Sequence, residues 1–183
     1  VHTIETARVY LRPFTADDLD AFALVCGDPD VMRYIGNGKP LSREQTQARL
    51  NSIIEHQSRH GFAVWAAIDN ASGVLMGYCG LQFLDNTPEI EVGYRLAKSF
   101  WGGGLATEAA RASVRYGFEE LGLDRIVAVV QPGNLASQRV VGKAGLSFVK
   151  DARYYNTDVK YYAMMREEYE RDDSTYIQSP AKG

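Results

Sequence analysis

A chain of 183 residues is long enough for one domain with a continuous core, and 45% hydrophobic against 23% charged residues excludes wholesale disorder. Twenty Lys and Arg against 23 Asp and Glu leave a net charge of −3, which excludes a general electrostatic drive toward nucleic acid or anionic membranes. No stretch approaches the ~20 apolar residues of a membrane-spanning helix, and the first residues lack the apolar run of a signal peptide, so the expected setting is the cytoplasm.

The first expected strand is Val9–Arg12. Thr15-Ala-Asp-Asp18 then supplies a hydroxyl N-cap and acids for a first helical turn. Leu19, Phe22, Ala23 and Cys26 follow at helical spacing until Gly27. Asp28-Pro29-Asp30 opens a short second turn. Ser42 with Gln45 three residues later is a capping box, and its helix is expected to reach about His60. The period then changes. Residues 62–69 and 74–84, joined by Asn70-Ala-Ser-Gly73, read as a hairpin, with Ile90–Leu96 as the third strand of the meander. A glycine-rich run leads into a helix over 105–121. Residues 125–131 (RIVAVVQ) form a strand covered on both faces, 134–144 a helix ended by Gly145, and 148–154 with 159–165 a last strand pair. After Glu168 the chain is polar and lacks periodicity, so one domain over 1–169 and a loose tail over 170–183 are expected. The order β-α-α-β-β-β-α-β-α-β-β describes a mixed sheet with helices on its faces.

Phe100-Trp-Gly-Gly-Gly-Leu-Ala-Thr-Glu108 follows a strand and opens a helix. Successive glycines let the backbone turn tightly and approach a ligand, and the first amides of the helix then form an anion site suited to a pyrophosphate. A plain strand-to-helix turn also uses glycine. The P-loop pattern fails, because Leu105 and Ala106 stand where Lys and a hydroxyl residue are needed. The dinucleotide pattern fits at Gly102 and Gly104 but has Thr107 in the third glycine's place, although Asp124 lies near the distance of a ribose-binding acid. An antiparallel meander precedes the run where a doubly wound parallel sheet is required.

Glu91-Val-Gly-Tyr-Arg-Leu96 followed by Phe100-Trp-Gly-Gly-Gly-Leu-Ala-Thr-Glu-Ala-Ala110 resembles the cofactor motif of the GNAT superfamily of N-acetyltransferases. In starting with Trp101 the motif is similar to the RimJ/RimL branch of ribosomal-protein alanine acetyltransferases. Further matches are Glu5-Thr-Ala-Arg8, Leu11-Arg-Pro-Phe14, Asp28-Pro-Asp-Val-Met32, Gly77-Tyr-Cys-Gly80 and Asn134-Leu-Ala-Ser137, so the resemblance covers about residues 4 to 169. It implies an α/β (α+β) acyl-CoA N-acyltransferase fold, with a mostly antiparallel sheet and helices on both faces. Its fourth and fifth strands, here Ile90–Leu96 and residues 125–131, splay apart to admit the coenzyme. It also implies acetyl-CoA as acetyl donor and no metal. Tyr94, Arg95 and Leu96 would meet the pantetheine through the open edge of the fourth strand, where Gly93 would mark a bulge. Trp101, Gly102, Gly103, Gly104, Leu105, Ala106 and Thr107 would form the pyrophosphate loop. Asn134 would hold the pantetheine arm, cap its helix, or do both.

The implied reaction is acetyl transfer to a primary amine by direct attack in a ternary complex. The amine must lose a proton before attack, and the departing thiolate benefits from one. Glu91 is the candidate base, directly or through water, with Glu89 as the alternative carboxylate two residues earlier on the same face. Ser137 matches the residue that would protonate the thiolate in this branch; no Tyr occurs on that helix, so Tyr161 or Tyr162 is the alternative acid. His2, His56 and His60 read as surface residues. Cys26 and Cys79 read as reduced thiols outside any disulfide or zinc framework.

The acceptor is a protein N-terminus or a small-molecule amine, selected by 35–39, the helix near 42–60 and the loop 155–158. Neither nucleic acid nor membrane is an expected partner, and the protein is expected to be a monomer or homodimer. Two other functions compete: a non-catalytic acyl-CoA-binding module, and a nicotinamide-dependent oxidoreductase.

Overall fold

Three helices begin where a side chain accepts from one of the first free amides, at Asp28, Ser42 and Asn134. The structure, a computed structural model, describes residues 2–171 and the backbone of 177–180. Strands β1 (His2–Glu5) and β2 (Val9–Arg12) pair antiparallel. Asp18 then accepts from the Thr15 amide and closes a short 3-10 turn before α1 (Leu19–Cys26). Asp28 caps α2 (Pro29–Met32) by accepting from the Asp30 amide. Ser42 and Gln45 form the expected capping box on α3 (Arg43–His60), and Gly61 ends it in the left-handed conformation, φ +78.

The meander follows as β3 (Val64–Asp69), β4 (Leu75–Phe83) and β5 (Ile90–Leu96), all antiparallel. Helix α4 (Leu105–Glu119), β6 (Arg125–Val130), α5 (Leu135–Lys143), β7 (Ser147–Tyr154) and β8 (Thr157–Met165) complete the expected order. Helix α4 stops at Glu119, two residues short of the expected end.

Two strands were not legible in the sequence. They are β1 and β9 (Ile177–Pro180), which pairs with β1 along its whole length. The expected loose tail therefore returns to the sheet edge at 177–180; its residues 172–176 and 181–183 lie outside the described residues. The sheet runs β7-β8-β6-β5-β4-β3-β2-β1-β9.

Helices α1 and α3 cover one face and α4 and α5 the other, each against a single continuous core. Gly117 lets α4 settle on the sheet, since a Cβ there would stand 2.6 Å from Ile126 Cδ1 and 2.9 Å from Leu81 Cδ1. Phe22, Leu81, Phe118 and Ile126 are almost fully enclosed, each contributing about 1.5–3 kcal/mol of apolar burial.

One junction of the sheet is nearly open. Strands β5 and β6 are parallel neighbours joined at a single rung, Glu91 opposite Val127. Beyond it they diverge, which gives the V expected between these strands. The expected bulge at Gly93 is absent from the ladder with β4, whose register runs unbroken from Gly77 opposite Leu96 to Phe83 opposite Ile90. Gly93 instead keeps the face of β5 low, with no atom nearer than 3.8 Å to where its Cβ would stand.

Candidate active site

The V opens into a cavity of about 1190 Å³ between α3, β5, the glycine run and α5. Alternation along β5 determines what each residue can offer it. The Ala97 amide donates to the Met76 carbonyl. In an antiparallel ladder every second residue then turns its main chain to β4, namely Arg95, Gly93 and Glu91. The main-chain groups of Val92, Tyr94 and Leu96 point the other way, toward β6. Since pairing with β6 ends at Glu91, those of Tyr94 and Leu96 face the open V.

Arg95 departs from the expectation. Its main chain belongs to the β4 ladder, and its buried side chain lies on the α1 face, with Nη1 donating to Cys26 Sγ at 3.1 Å. The motif spacing alone does not show which residues of the strand turn their main chain to the open edge.

At the mouth of α4, Gly102 and Gly104 hold φ of +82 and +84, a region costly to any residue with a Cβ. Nothing lies within 4 Å of a Cβ placed on Gly102 or Gly103. The first hydrogen bond of the helix runs from the Glu108 amide to the Gly104 carbonyl, so the amides of Leu105, Ala106 and Thr107 have no partner within it. Arg8 fastens this loop: its Nη1 donates to the Gly103 carbonyl at 2.7 Å and its Nε to Glu108 at 2.7 Å. Thr6 also donates to Glu108, at 2.6 Å. The Arg8–Glu108 brace joins residues 100 positions apart and had no signal in local patterning. Trp101 is 49% exposed and its indole N–H donates to the Leu96 carbonyl at 2.8 Å, tying the loop to the end of β5.

Glu91 is 5% exposed and points to the α3 face. Its Oε1 accepts from Gln82 Nε2 at 2.8 Å and from the Tyr155 hydroxyl. Gln82 in turn accepts from Arg49 at 2.7 Å. Burial pushes the Glu91 carboxyl up to about 7, against the lowering effect of its two hydrogen bonds and of Arg49. Tyr155 and Asn156 form the two-residue turn between β7 and β8, with φ of 52 and 57. Such a turn suits the twist of a hairpin but is uncommon for an aromatic residue. Asp85 holds Tyr155 there: the Tyr155 amide donates to Asp85 Oδ2 and the Asp85 amide donates to the Tyr155 hydroxyl. Within the loop 155–158, expected to help select the acceptor, nothing local predicts a phenol from the last hairpin against β5.

Glu89 is separated from Glu91. It is bound by the Tyr161 hydroxyl and lies 3.7 Å from Arg125, outside the cavity lining.

On the other face of β5 the Tyr94 hydroxyl lies 2.6 Å from Ser137 Oγ and donates to the Ser137 carbonyl at 3.0 Å. Burial raises the Tyr94 phenol far above its ordinary value, so it remains protonated. Asn134 caps α5 by accepting from the Ser137 amide at 3.1 Å. Tyr162 packs against Phe148 and reaches Gln138, while Tyr161 serves Glu89.

His56, expected at the surface, is half-buried. As a neutral ring it donates from Nδ1 to the Phe62 carbonyl at 2.7 Å and accepts at Nε2 from the Phe83 amide, and burial lowers its pKa. Cys79 is enclosed beside Ser113 with its thiol pushed up to about 12, which makes it inert. Among the described residues no group of three or more His, Cys, Asp or Glu is placed to hold a metal, and no helix is long and apolar enough to cross a membrane.

A mixed sheet opened at one parallel junction, with a glycine-loop helix at the opening, defines a class of group-transfer enzyme. Residues 8–147 match the acetyltransferase (GNAT) domain family. The chain is 36% identical to the uncharacterized protein YkkB of Bacillus subtilis, over 86% of this chain and 92% of that protein. It is 31% identical to the FsC-acetyl coenzyme A-N(2)-transacetylase of Aspergillus fumigatus, over 81% of this chain and 66% of that protein. An acetyltransferase of the GNAT family from Bacillus anthracis superposes with a TM-score of 0.78 at 29% identity, covering 90% of this chain and 99% of that one. The chain belongs to the GNAT family and is an acetyltransferase.

Proposed function

We propose that this acetyltransferase moves the acetyl group of acetyl-CoA to a primary amine, on a protein N-terminus or a small molecule, by direct attack in a ternary complex. The observation that carries the reading is Glu91, an enclosed carboxylate at the vertex of the V with its pKa raised to about 7. An α-amine titrates near 8 and a lysine side chain near 10.4, so a base of this strength is matched to an α-amine or one of similar basicity.

The donor assignment is supported by the bare backbone at Gly102 and Gly103 and by the free first turn of α4. The same donor appears in the name of the Aspergillus fumigatus relative. When bound, acetyl-CoA supplies an activated acyl group as a thioester. Gly102, Gly103, Gly104, Leu105, Ala106 and Thr107 would hold its pyrophosphate, and the main chains of Tyr94 and Leu96 its pantetheine amides. Asn134 would orient that arm and keep Ser137 in place. Glu91 accepts the amine's proton on one side of β5. Ser137, backed by the Tyr94 hydroxyl, offers a proton on the other side, where the sulfur departs. The Trp101 start of the glycine run supports placement in the RimJ/RimL-like branch.

Thermal-shift measurements with acetyl-CoA, CoA, NAD and NADP test the donor, since a ligand raises Tm only by binding the native state. An amine panel read by thiol release tests the reaction. Stabilisation by acetyl-CoA with turnover of at least one amine is expected. Binding without turnover of any amine would indicate a non-catalytic module, and stabilisation by NAD alone an oxidoreductase.

A further inference from the structure

The α3 side of the cavity carries two guanidiniums that make no ion pair among the described residues; Arg49 reaches the Glu91 carboxylate only through Gln82 and by its field. Arg49 lies half-buried in the cavity lining; one Nη2 donates to Gln82, and it makes no ion pair among the described residues. A guanidinium has five N–H donors, so most of its capacity is unspent. Arg95, also in the lining, is buried with its Nε lacking any partner, and it too has no carboxylate beside it. Both guanidiniums stand near the same ring, at 5.9 Å and 5.1 Å from the centre of Tyr78.

The acids nearby are already engaged. Asp30 pairs with Lys98 at 2.6 Å. Asp85 accepts from the Tyr155 amide, and Glu91 from Gln82 and Tyr155. Two guanidiniums sharing one partly dry wall repel each other unless an anion lies between or before them. Burying a charge without a partner is the costliest arrangement in a protein interior, and a ligand can relieve it.

Resting on the acetyl-transfer reading above, we infer that the acceptor is an amine bearing an anionic group, carboxylate or phosphate, a few bonds from its nitrogen. Arg49 receives the anion and Glu91 faces the amine. The spacing fits: one carboxamide, that of Gln82, separates the guanidinium from the carboxylate. Arg95, whose Nη1 is taken up by Cys26, adds field from beside the Tyr78 ring.

The test compares initial rates at saturating acetyl-CoA for matched acceptors: α-amino acids against their methyl esters, and O-phosphoethanolamine against ethanolamine, with a diamine as the cationic control. In the parent protein kcat/KM is expected to be about ten- to a hundredfold higher for the better anionic acceptor than for its neutral partner, the factor for one charged hydrogen bond. The amino-acid and phosphate arms identify which anion is taken. An ester's amine is less basic and more of it is free base, which works against the expected order. Arg49→Gln should bring the ratio to near one, and Arg49→Lys should keep part of it. Using the ratio removes any general effect of Arg49 on Glu91. Equal or higher kcat/KM for the neutral or cationic acceptors overturns the inference, as does a ratio untouched by both variants. If no panel member turns over, thermal shifts in the presence of CoA decide: no extra stabilisation by the anionic amines over their neutral partners overturns it. Stabilisation by acetyl-CoA itself reports separately on the underlying reading.

Discussion

The phenol of Tyr155 donates to Oε1 of Glu91 across 64 positions of sequence. Two strained left-handed residues, Tyr155 and Asp85, are bonded to each other to set up this contact. Strain of this kind persists only where the surroundings over-determine it. The contact lowers a carboxyl pKa that burial has raised. Removing it in Tyr155→Phe should therefore move the acidic limb of the kcat–pH profile above 7. Turnover near pH 7 falls while turnover near pH 9 recovers toward the parent. A loss of equal size at every pH would mean that Tyr155 acts on something other than Glu91.

Glu91→Gln preserves shape and removes basicity. Turnover at neutral pH should drop by about one to three orders of magnitude, with acetyl-CoA affinity little changed. A rate within twofold of the parent across the pH range would remove Glu91 from the chemistry. Stability should move oppositely. The folded pKa of Glu91 is raised from 4.5 to about 7, so between those values the native state holds the proton that the unfolded chain has lost. Stability from this group is present at low pH and is lost as pH rises through about 7. Glu91→Gln should thus gain Tm over the parent as pH rises from about 4.5 to about 7, with little further change above that, and thermal melts at pH 5 and 8 measure the difference.

Gly104→Val places a branched side chain at φ +84 and at the opening of the V. The variant should lose most of the acetyl-CoA-induced thermal shift. It should also lose a few kcal/mol of stability, on the order of what strained positions cost. Unchanged acetyl-CoA affinity in a folded Gly104→Val protein would move the donor elsewhere.

Ser137 and Tyr94 are separable by paired variants. If Ser137 donates to the departing sulfur, Ser137→Ala lowers kcat while the KM for acetyl-CoA holds, because the interaction grows only as charge develops. The loss should be modest, since a thiol of pKa about 8.5 leaves readily near neutrality. Tyr94→Phe should then give a smaller loss, with Ser137 still present but less well held. An increase in KM for acetyl-CoA with kcat intact in Ser137→Ala would make the serine an anchor. A larger kcat loss in Tyr94→Phe would make the tyrosine the acid.

Local chemistry made most of the fold readable in the sequence. The Ser42–Gln45 box and the 70–73 turn between β3 and β4 act within a few residues, and the structure places each where the pattern puts it. The glycine run was legible for the same reason, since its left-handed positions demand glycine. What escaped depends on partners far apart in the chain. Strand β9 exists through pairing with β1. The half-burial of His56 is not legible locally because the phenylalanines beside it, Phe62 and Phe83, lie outside its helix. Spacing gives a strand's period without its phase, so the sequence does not show that the main chain of Arg95 turns to β4 and its side chain to Cys26. The Tyr155 and Arg8 contacts, likewise, exist only once the hairpin and the N-terminus are folded onto the sheet.

The single rung between β5 and β6 makes the sheet a pair of blades joined at one pivot, and Glu91 stands on that pivot. The glycine loop lies along the opening, where the two blades share no backbone rung. Glu91 is bonded to Gln82 of one blade and to Tyr155 of the other, so side chains as well as the rung fasten the blades at that point. The width of the gap and the setting of the carboxylate therefore rest on different contacts.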